Sequence, residues 1–484
     1  MSYSINPKST KEHPLSVAAR RHSSYPALRT GNTSLTYESL HSQSERLAFA
    51  LFNRGIQSGQ IVALGDLPAR EMIISLWGCM LGGFIAFPLN VRFPSTSLAQ
   101  ILDDMNPALI ISDSSYPGHE TVPFSDLNMA DNQVSMANLP VFDRSAAASL
   151  LMTSGSSGDV KFVQHSHHNH IESAGGSNQN IQLTSSNSWL LSLPLYHVGG
   201  LSILFRCALA GATIIIQEAQ QSTLQVIDER GVTHISLVAT QLQRLLKDES
   251  GLGILQEMKA ILIGGSAITP ALIHQALDHK LPIHVSYGST EMASQITTTS
   301  GENRDAALQN SGRLLTGRDL IISQEGEILV KGDTLAQGYL QHSKLVDLRD
   351  ENGWFHTGDV GYTNVAGELT VTGRMDNQFI SGGENVQPEH IERLLCQIPG
   401  ILTAIVIPQH DEEFGARPVA FLEIMEDAPG GKEIIQQLRG HLPGYMLPVA
   451  YYAFPDVLIE NSFKISRTEL TKLLQTENKH LHPL

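Results

Sequence analysis

The chain is short of three things, and each shortage excludes something. Cysteine is the first: 484 residues hold only Cys79, Cys207 and Cys396, far apart and in no CxxC pair. That excludes a disulfide framework and suggests no zinc site. Positive charge is the second. The 32 Lys and Arg stand against 48 Asp and Glu, a formal −16, which argues against nucleic acid or an anionic membrane as the main partner. Long apolar runs are the third: none approaches membrane-spanning length, and the N-terminal MSYSINPKSTKEHP is polar, with no signal-peptide core. A cytoplasmic enzyme is the expectation. The rest is ordinary, with 42% hydrophobic residues, and the length exceeds what one core supports, so two or more domains are expected.

The most informative stretch is Thr153-Ser154-Gly155-Ser156-Ser157-Gly158-Asp159-Val160-Lys161, which follows an apolar strand-like segment at 146–151. Glycines let a backbone fold tightly with its N–H groups inward, and hydroxyls plus a lysine add donors, so this loop suits a polyphosphate. It is not the Walker pattern, because the lysine does not directly follow the second glycine. Taken alone, it also fits a flexible Ser/Gly surface loop.

Around it the texture is that of an α/β protein. A helical stripe of Leu40, Leu47, Ala48 and Leu51 ends near Gly55, and a second helix is expected over 72–81. Strand candidates at 84–87, 109–111, 212–216, 234–238, 261–263 and 283–285 alternate with helical stretches such as 240–247 and 270–278. That alternation implies largely parallel sheets covered by helices. From Gly312 the pattern changes to short strands and turns. Past Asp376 a compact α+β segment follows, with a helix opening at Pro388. The expected division is therefore 1–375, a large domain with a β-rich subdomain, and 376–484, a small α+β domain. The run His165-Ser166-His167-His168-Asn169-His170 could place alternating histidines on one strand face, but no carboxylate or cysteine sits with it at ligand spacing in the sequence.

Four more stretches follow in fixed order: Tyr287-Gly288-Ser289-Thr290-Glu291; Trp354-Phe355-His356-Thr357-Gly358-Asp359; Gly373-Arg374-Met375-Asp376 running into Ser381-Gly382-Gly383-Glu384-Asn385; and Asn461-Ser462-Phe463-Lys464-Ile465-Ser466-Arg467. With the serine-rich loop, this ordered set resembles the adenylate-forming superfamily of acyl-CoA synthetases, luciferases and peptide-synthetase adenylation domains, over nearly the whole chain. The resemblance implies that ATP, Mg²⁺ and coenzyme A are used, and that a carboxylate attacks the α-phosphate before a thiol displaces AMP. It implies that Thr153, Ser154, Gly155, Ser156, Ser157, Gly158 and Lys161 hold the outer phosphates, that Thr290 touches the α-phosphate, and that Glu291 holds Mg²⁺. Gly264, Gly265, Ser266, Ala267, Tyr287 and Gly288 would frame the adenine, and Asp359 and Arg374 the ribose. Lys464 matches the mobile lysine of the first half-reaction. Gly382 and Gly383 would replace it at the adenylate when the small domain swings, leaving room for a pantetheine arm. Two positions depart from the superfamily pattern: Val160 stands where proline is usual, and Phe463 where glycine is usual.

Within the superfamily, Leu193-Pro194-Leu195-Tyr196-His197-Val198-Gly199-Gly200, running on to Arg206, and Met292-Ala293-Ser294-Gln295-Ile296 are most similar to ligases joining o-succinylbenzoate to coenzyme A in menaquinone synthesis. That acid carries two carboxylates and only one is activated, so the other needs a cation or strong donors. Arg206 is the candidate, with Ser294 and Gln295 beside it and His197 at the acyl pocket or thiol tunnel. Another aryl- or acyl-CoA ligase, a stand-alone adenylation enzyme loading a carrier-protein thiol, and a non-catalytic nucleotide-binding relative remain as alternatives. The expected partners are small molecules, with neither nucleic acid nor membrane insertion, and a homodimer is compatible with the sequence.

Overall fold

Two large mixed sheets dominate the computed structural model, which describes residues 12–127, 139–154, 160–266, 268–301, 304–425, 428–454 and 467–475. One sheet has a parallel centre in the order Ile283–Ser289, Ala260–Ile263, His234–Leu237, Ser188–Leu190, Thr213–Ile216 and Pro26–Thr30. Antiparallel strands extend both edges, Ser294–Thr298 and Arg313–Leu314 on one side and Thr33–Thr36 on the other. In the second sheet Ala147–Ser154, Ile85–Pro88, Ile61–Leu64 and Leu109–Ile111 run parallel. Val160–Ser166, Gly338–Gln341 and Lys344–Val346 continue it in antiparallel fashion. Thr213–Ile216, His234–Leu237, Ala260–Ile263 and Ile85–Pro88 are buried at every position, as strands covered on both faces must be.

Helices fill the space between the sheets. In Tyr37–Asn53 the Thr36 hydroxyl caps the first turn by accepting from the Ser39 amide, and the expected stripe of Leu40, Leu47, Ala48 and Leu51 is buried. It packs on Ala69–Leu81, where Gly78 lets the two axes approach: a Cβ there would lie 2.6 Å from Leu47 and 2.9 Å from the Ser44 carbonyl. Trp77, Phe205, Trp189 and Leu201 belong to one continuous core that draws on both sheets.

Beyond Gly312, Arg318–Ile322, Glu327–Gly332, Phe355–Thr363 and Leu369–Arg374 form an antiparallel four-stranded sheet. The C-terminal part builds cores from its own residues, among them Val386, Ile391, Val406, Leu422, Ile434 and Phe421. They lie against the antiparallel pair Ile401–Asp411 and Gly415–Ile424, with Tyr451–Ala453 added in parallel.

The histidine run differs from its expected form. Only His165 is on a strand; Ser166 ends it and caps the helix His167–Ile181 in a reciprocal box with Asn169. His165, His167 and His170 are buried among aromatic rings. Glu172, one turn beyond His168, stands near it at 3.9 Å, but its carboxylate already accepts from Arg144 at 2.7 Å. Among the described residues no group of three metal-ligating side chains forms.

Candidate active site

Strands Ala147–Ser154 and Val160–Ser166 pair with Thr153 opposite Lys161 and Ser154 opposite Val160. Valine in place of proline keeps a backbone N–H at the first position of a paired strand, which proline would remove. Gly155, Ser156, Ser157, Gly158, Ala267 and Lys464 lie outside the described residues. Lys161, at the base of the hairpin, places its ammonium 5.0 Å from the centre of the Tyr339 ring.

The turn after Ile283–Ser289 carries Thr290 and Glu291. The Glu291 carboxylate accepts the Tyr339 hydroxyl at 2.8 Å, and its carbonyl accepts from the Ala336 amide at 2.8 Å. The Thr290 carbonyl lies 2.7 Å from His165 Nε2. Burial drives the His165 pKa down to about 4, so the ring is neutral and donates from Nε2. The backbone then turns tightly: Ala293 and Ser294 hold φ of 52° and 114°, values that non-glycine residues hold only when their surroundings enforce them. The Ser173 hydroxyl, donating to the Ala293 carbonyl at 2.6 Å, is one such restraint. Gly288 is required here, because a Cβ would lie 1.9 Å from the Ser294 carbonyl oxygen.

Asp359 and Arg374 stand directly opposite each other on adjacent antiparallel strands. Arg374 donates to Asp359 at 2.8 Å and to Asp376 at 3.2 Å, and the Tyr287 hydroxyl donates to the other Asp359 oxygen at 2.7 Å. Burial raises the Asp359 pKa, with the Tyr287 and Arg374 contacts opposing it. Each carboxylate oxygen has a second lone pair, so the pair can still accept from two vicinal hydroxyls. Gly264, Gly265 and Ser266 follow the parallel strand Ala260–Ile263, beside the strand that carries Tyr287. A Cβ on Gly264 would lie 2.5 Å from the Ser286 hydroxyl. Gly264, Gly265, Ser266 and Tyr287 lie toward the carboxyl ends of neighbouring parallel strands, where α/β sheets open their ligand crevices.

Arg206 lies at the acyl end, on the helix Val198–Ala210, and is 1% exposed. Its guanidinium donates to the Ser294 hydroxyl at 3.1 Å and to the Gln295 side-chain oxygen at 2.8 Å, and sits 5.2 Å from the Trp189 ring centre. Among the described residues its Nε is buried with no partner, and the side chain makes no ion pair with any of them. Desolvation lowers its pKa to about 10, which leaves it a cation at neutral pH. The expected trio of Arg206, Ser294 and Gln295 thus comes together. His197 caps the far end of the same helix, exposed beside Tyr196. Partial desolvation, and then Arg92, hold its pKa below the ordinary value. It does not join the Arg206 group.

Gly382 and Gly383 form the tip of the hairpin Phe379–Ser381 and Glu384–Val386, with φ of 61° and 86°, the conformation of a tight two-residue turn. A Cβ on Gly382 would strike Phe414 at 2.7 Å, whereas nothing lies within 4 Å of one on Gly383. Sequence reasoning missed Tyr339 and the bond from His165 to Thr290; a lone tyrosine on a short strand carries no local signal.

Comparison with known proteins agrees with this geometry. The AMP-binding enzyme model matches residues 15–340, and the AMP-binding enzyme C-terminal domain matches 390–464. The chain belongs to the AMP-binding enzyme family. It is 31% identical over 451 residues to the 2-succinylbenzoate–CoA ligase of Escherichia coli (strain K12), covering 93% of this chain and 96% of the relative. The o-succinylbenzoate CoA synthetase of Bacillus subtilis in complex with its acyl-adenylate intermediate superposes with a TM-score of 0.83 at 28% identity, covering 95% and 97% of the two chains. The same enzyme in complex with ATP and magnesium gives 0.81 at 28%, covering 91% and 95%.

Proposed function

We propose that this protein is an AMP-forming acid–thiol ligase that activates o-succinylbenzoate with ATP and transfers the acyl group to coenzyme A, a step of menaquinone biosynthesis. The observation that carries the choice of acid is Arg206: a buried cation with neutral partners, one unused N–H and no carboxylate of its own. Burying an unpaired charge is unfavourable, and a substrate carboxylate is the partner that would offset it.

In the first half-reaction one carboxylate oxygen attacks the α-phosphorus of ATP and the bond to pyrophosphate breaks. No protein atom bonds to the substrate, so the contribution is positioning and charge. Asp359 and Arg374 hold the ribose, with the Tyr287 hydroxyl donating to Asp359, and Gly264, Gly265, Ser266, Ala267 and Tyr287 line the adenine. Thr153, Ser154, the loop 155–158 and Lys161 draw the outer phosphates. A hard cation takes few protein carboxylates plus phosphate oxygens and water, so the single carboxylate of Glu291 fits Mg²⁺, which would supply charge neutralisation there. Lys464 bridges the acid and the nucleotide, with Thr290 at the α-phosphate. In the second half-reaction the thiolate of coenzyme A attacks the acyl carbon and AMP leaves. Gly382 and Gly383 then face the adenylate, and a division of the chain at Asp376 lets the small domain exchange them for Lys464. His197 borders the thiol path.

Among the described residues no helix is long and apolar enough to cross a membrane. A cytoplasmic location belongs to this reading through its need for ATP and coenzyme A, and a homodimer is not required by it. Incubation with ATP, Mg²⁺, coenzyme A and o-succinylbenzoate should yield an acyl-CoA, AMP and pyrophosphate. Release of ADP would contradict the reaction, and equal use of benzoate would contradict the choice of acid.

A further inference from the structure

Lys161 and Glu291 carry opposite charges into the same cleft, and a salt bridge between them would neutralise both groups that the nucleotide needs. They form none. Tyr339 lies between them instead, its hydroxyl donating to Glu291 at 2.8 Å and its ring 5.0 Å from the Lys161 ammonium. We propose that Tyr339 is a positioning residue for the phosphate-binding charges. Its hydroxyl presets the Glu291 carboxylate and its ring carries Lys161, so each charge faces the incoming nucleotide and not the other. The inference rests on the reading that Lys161 and Glu291 serve ATP and Mg²⁺.

Strand register puts the ring where this requires. Tyr339 pairs with Val163, so Lys161, two residues along the same strand, is its diagonal neighbour on one sheet face, a relation that long and aromatic side chains can span. The preceding residue must be glycine, because a Cβ on Gly338 would lie 2.5 Å from the Val346 carbonyl oxygen. The approach to this strand is tied to both sides of the cleft. The Ala336 amide donates to the Glu291 carbonyl at 2.8 Å, and the Gln337 amide donates to the Gln164 carbonyl at 2.9 Å. One strand therefore fixes the distance between the loop lysine and the carboxylate.

Tyr339→Phe removes the hydroxyl and keeps the ring. The Mg²⁺ concentration for half-maximal pyrophosphate exchange should rise about tenfold, the scale of one hydrogen bond to a charged group. Calorimetric titration of ATP at several Mg²⁺ concentrations should show the same shift without turnover. Tyr339→Leu also removes the ring, and its ATP affinity should fall by about a further threefold. Thioester formation from supplied acyl-adenylate should change by less than about twofold in both variants, since it uses neither charge. In a Glu291→Gln background, Tyr339→Phe should add little to the Mg²⁺ effect. An unchanged Mg²⁺ requirement in Tyr339→Phe would overturn the proposal, as would equal loss in both half-reactions. Failure of the underlying reading shows separately: the parent enzyme would then release ADP or leave o-succinylbenzoate unused.

Discussion

At the ribose end of the site, Asp359 and Arg374 stand opposite each other on paired strands and satisfy each other's charge before any ligand arrives. At the proposed acyl end, the Arg206 guanidinium is buried against Trp189 and, among the described residues, donates to Ser294 and Gln295, both neutral. Under the proposed function, the difference follows from what each end would bind. A ribose is neutral and needs an oriented acceptor, so the carboxylate can be held by an internal cation without losing its use. A spare carboxylate brings its own charge, so a cation already paired inside the protein would have little left to offer it. The strained backbone at Ala293 and Ser294 leads the chain from Thr290 and Glu291 to the two side chains that hold Arg206.

The largest expected effect falls on the residue assigned to neither end. Lys464→Ala should slow adenylate formation by about two to three orders of magnitude, the scale for one aimed electrostatic donor. Thioester formation from supplied adenylate should be nearly unaffected, and quenched-flow measurement of each half-reaction would reveal equal damage if the division of labour is wrong. A smaller effect should break the ribose end alone. Asp359→Asn leaves Arg374 with Asp376 as its ionic partner and weakens the acceptor, so KM for ATP should rise by about tenfold or more. Preference among carboxylic acids should stay the same; a changed preference would mean that the two ends are not separate.

The smallest effect concerns pH. His165 has a pKa of about 4 in the fold against about 6.5 unfolded. The unfolded chain therefore takes up its proton first on acidification. The stability that neutral His165 contributes is fully present above about pH 6.5 and is lost as pH falls toward 4. Denaturant midpoints of His165→Gln should accordingly fall less between those pH values than those of the parent. An identical pH slope in both proteins would place the proton uptake elsewhere.

Much of this was legible in the chain because phosphate chemistry is local. A loop suited to phosphate is written in consecutive residues, as 153–161 are under the proposed reading, although 155–159 lie outside the described residues. The buried parallel strands were legible for a similar reason, since a strand covered on both faces is largely apolar, as 261–263 and 214–216 are. What pairing over long separations creates was not legible. Tyr339 reaches Lys161 only because residues 163 and 339 are partners in one sheet, and strand order cannot be read from either segment. The alternation 165, 167 could have set both histidines on one strand face, but the Ser166–Asn169 capping box starts a helix between them. That signal was present in the sequence, though with Asn169 where Glu or Gln is usual.

The central claim is that Arg206 is left unpaired in order to meet the substrate's spare carboxylate. The most direct measurement is a cycle of residue against substrate, with parent and Arg206→Ala each assayed on o-succinylbenzoate and on the analogue lacking its aromatic carboxylate. The account predicts that the mutation weakens use of o-succinylbenzoate by about 1.5–3 kcal/mol in kcat/KM, while the analogue, already poor, loses little more. A coupling near zero, with both acids losing equally, would contradict it and make Arg206 a structural residue.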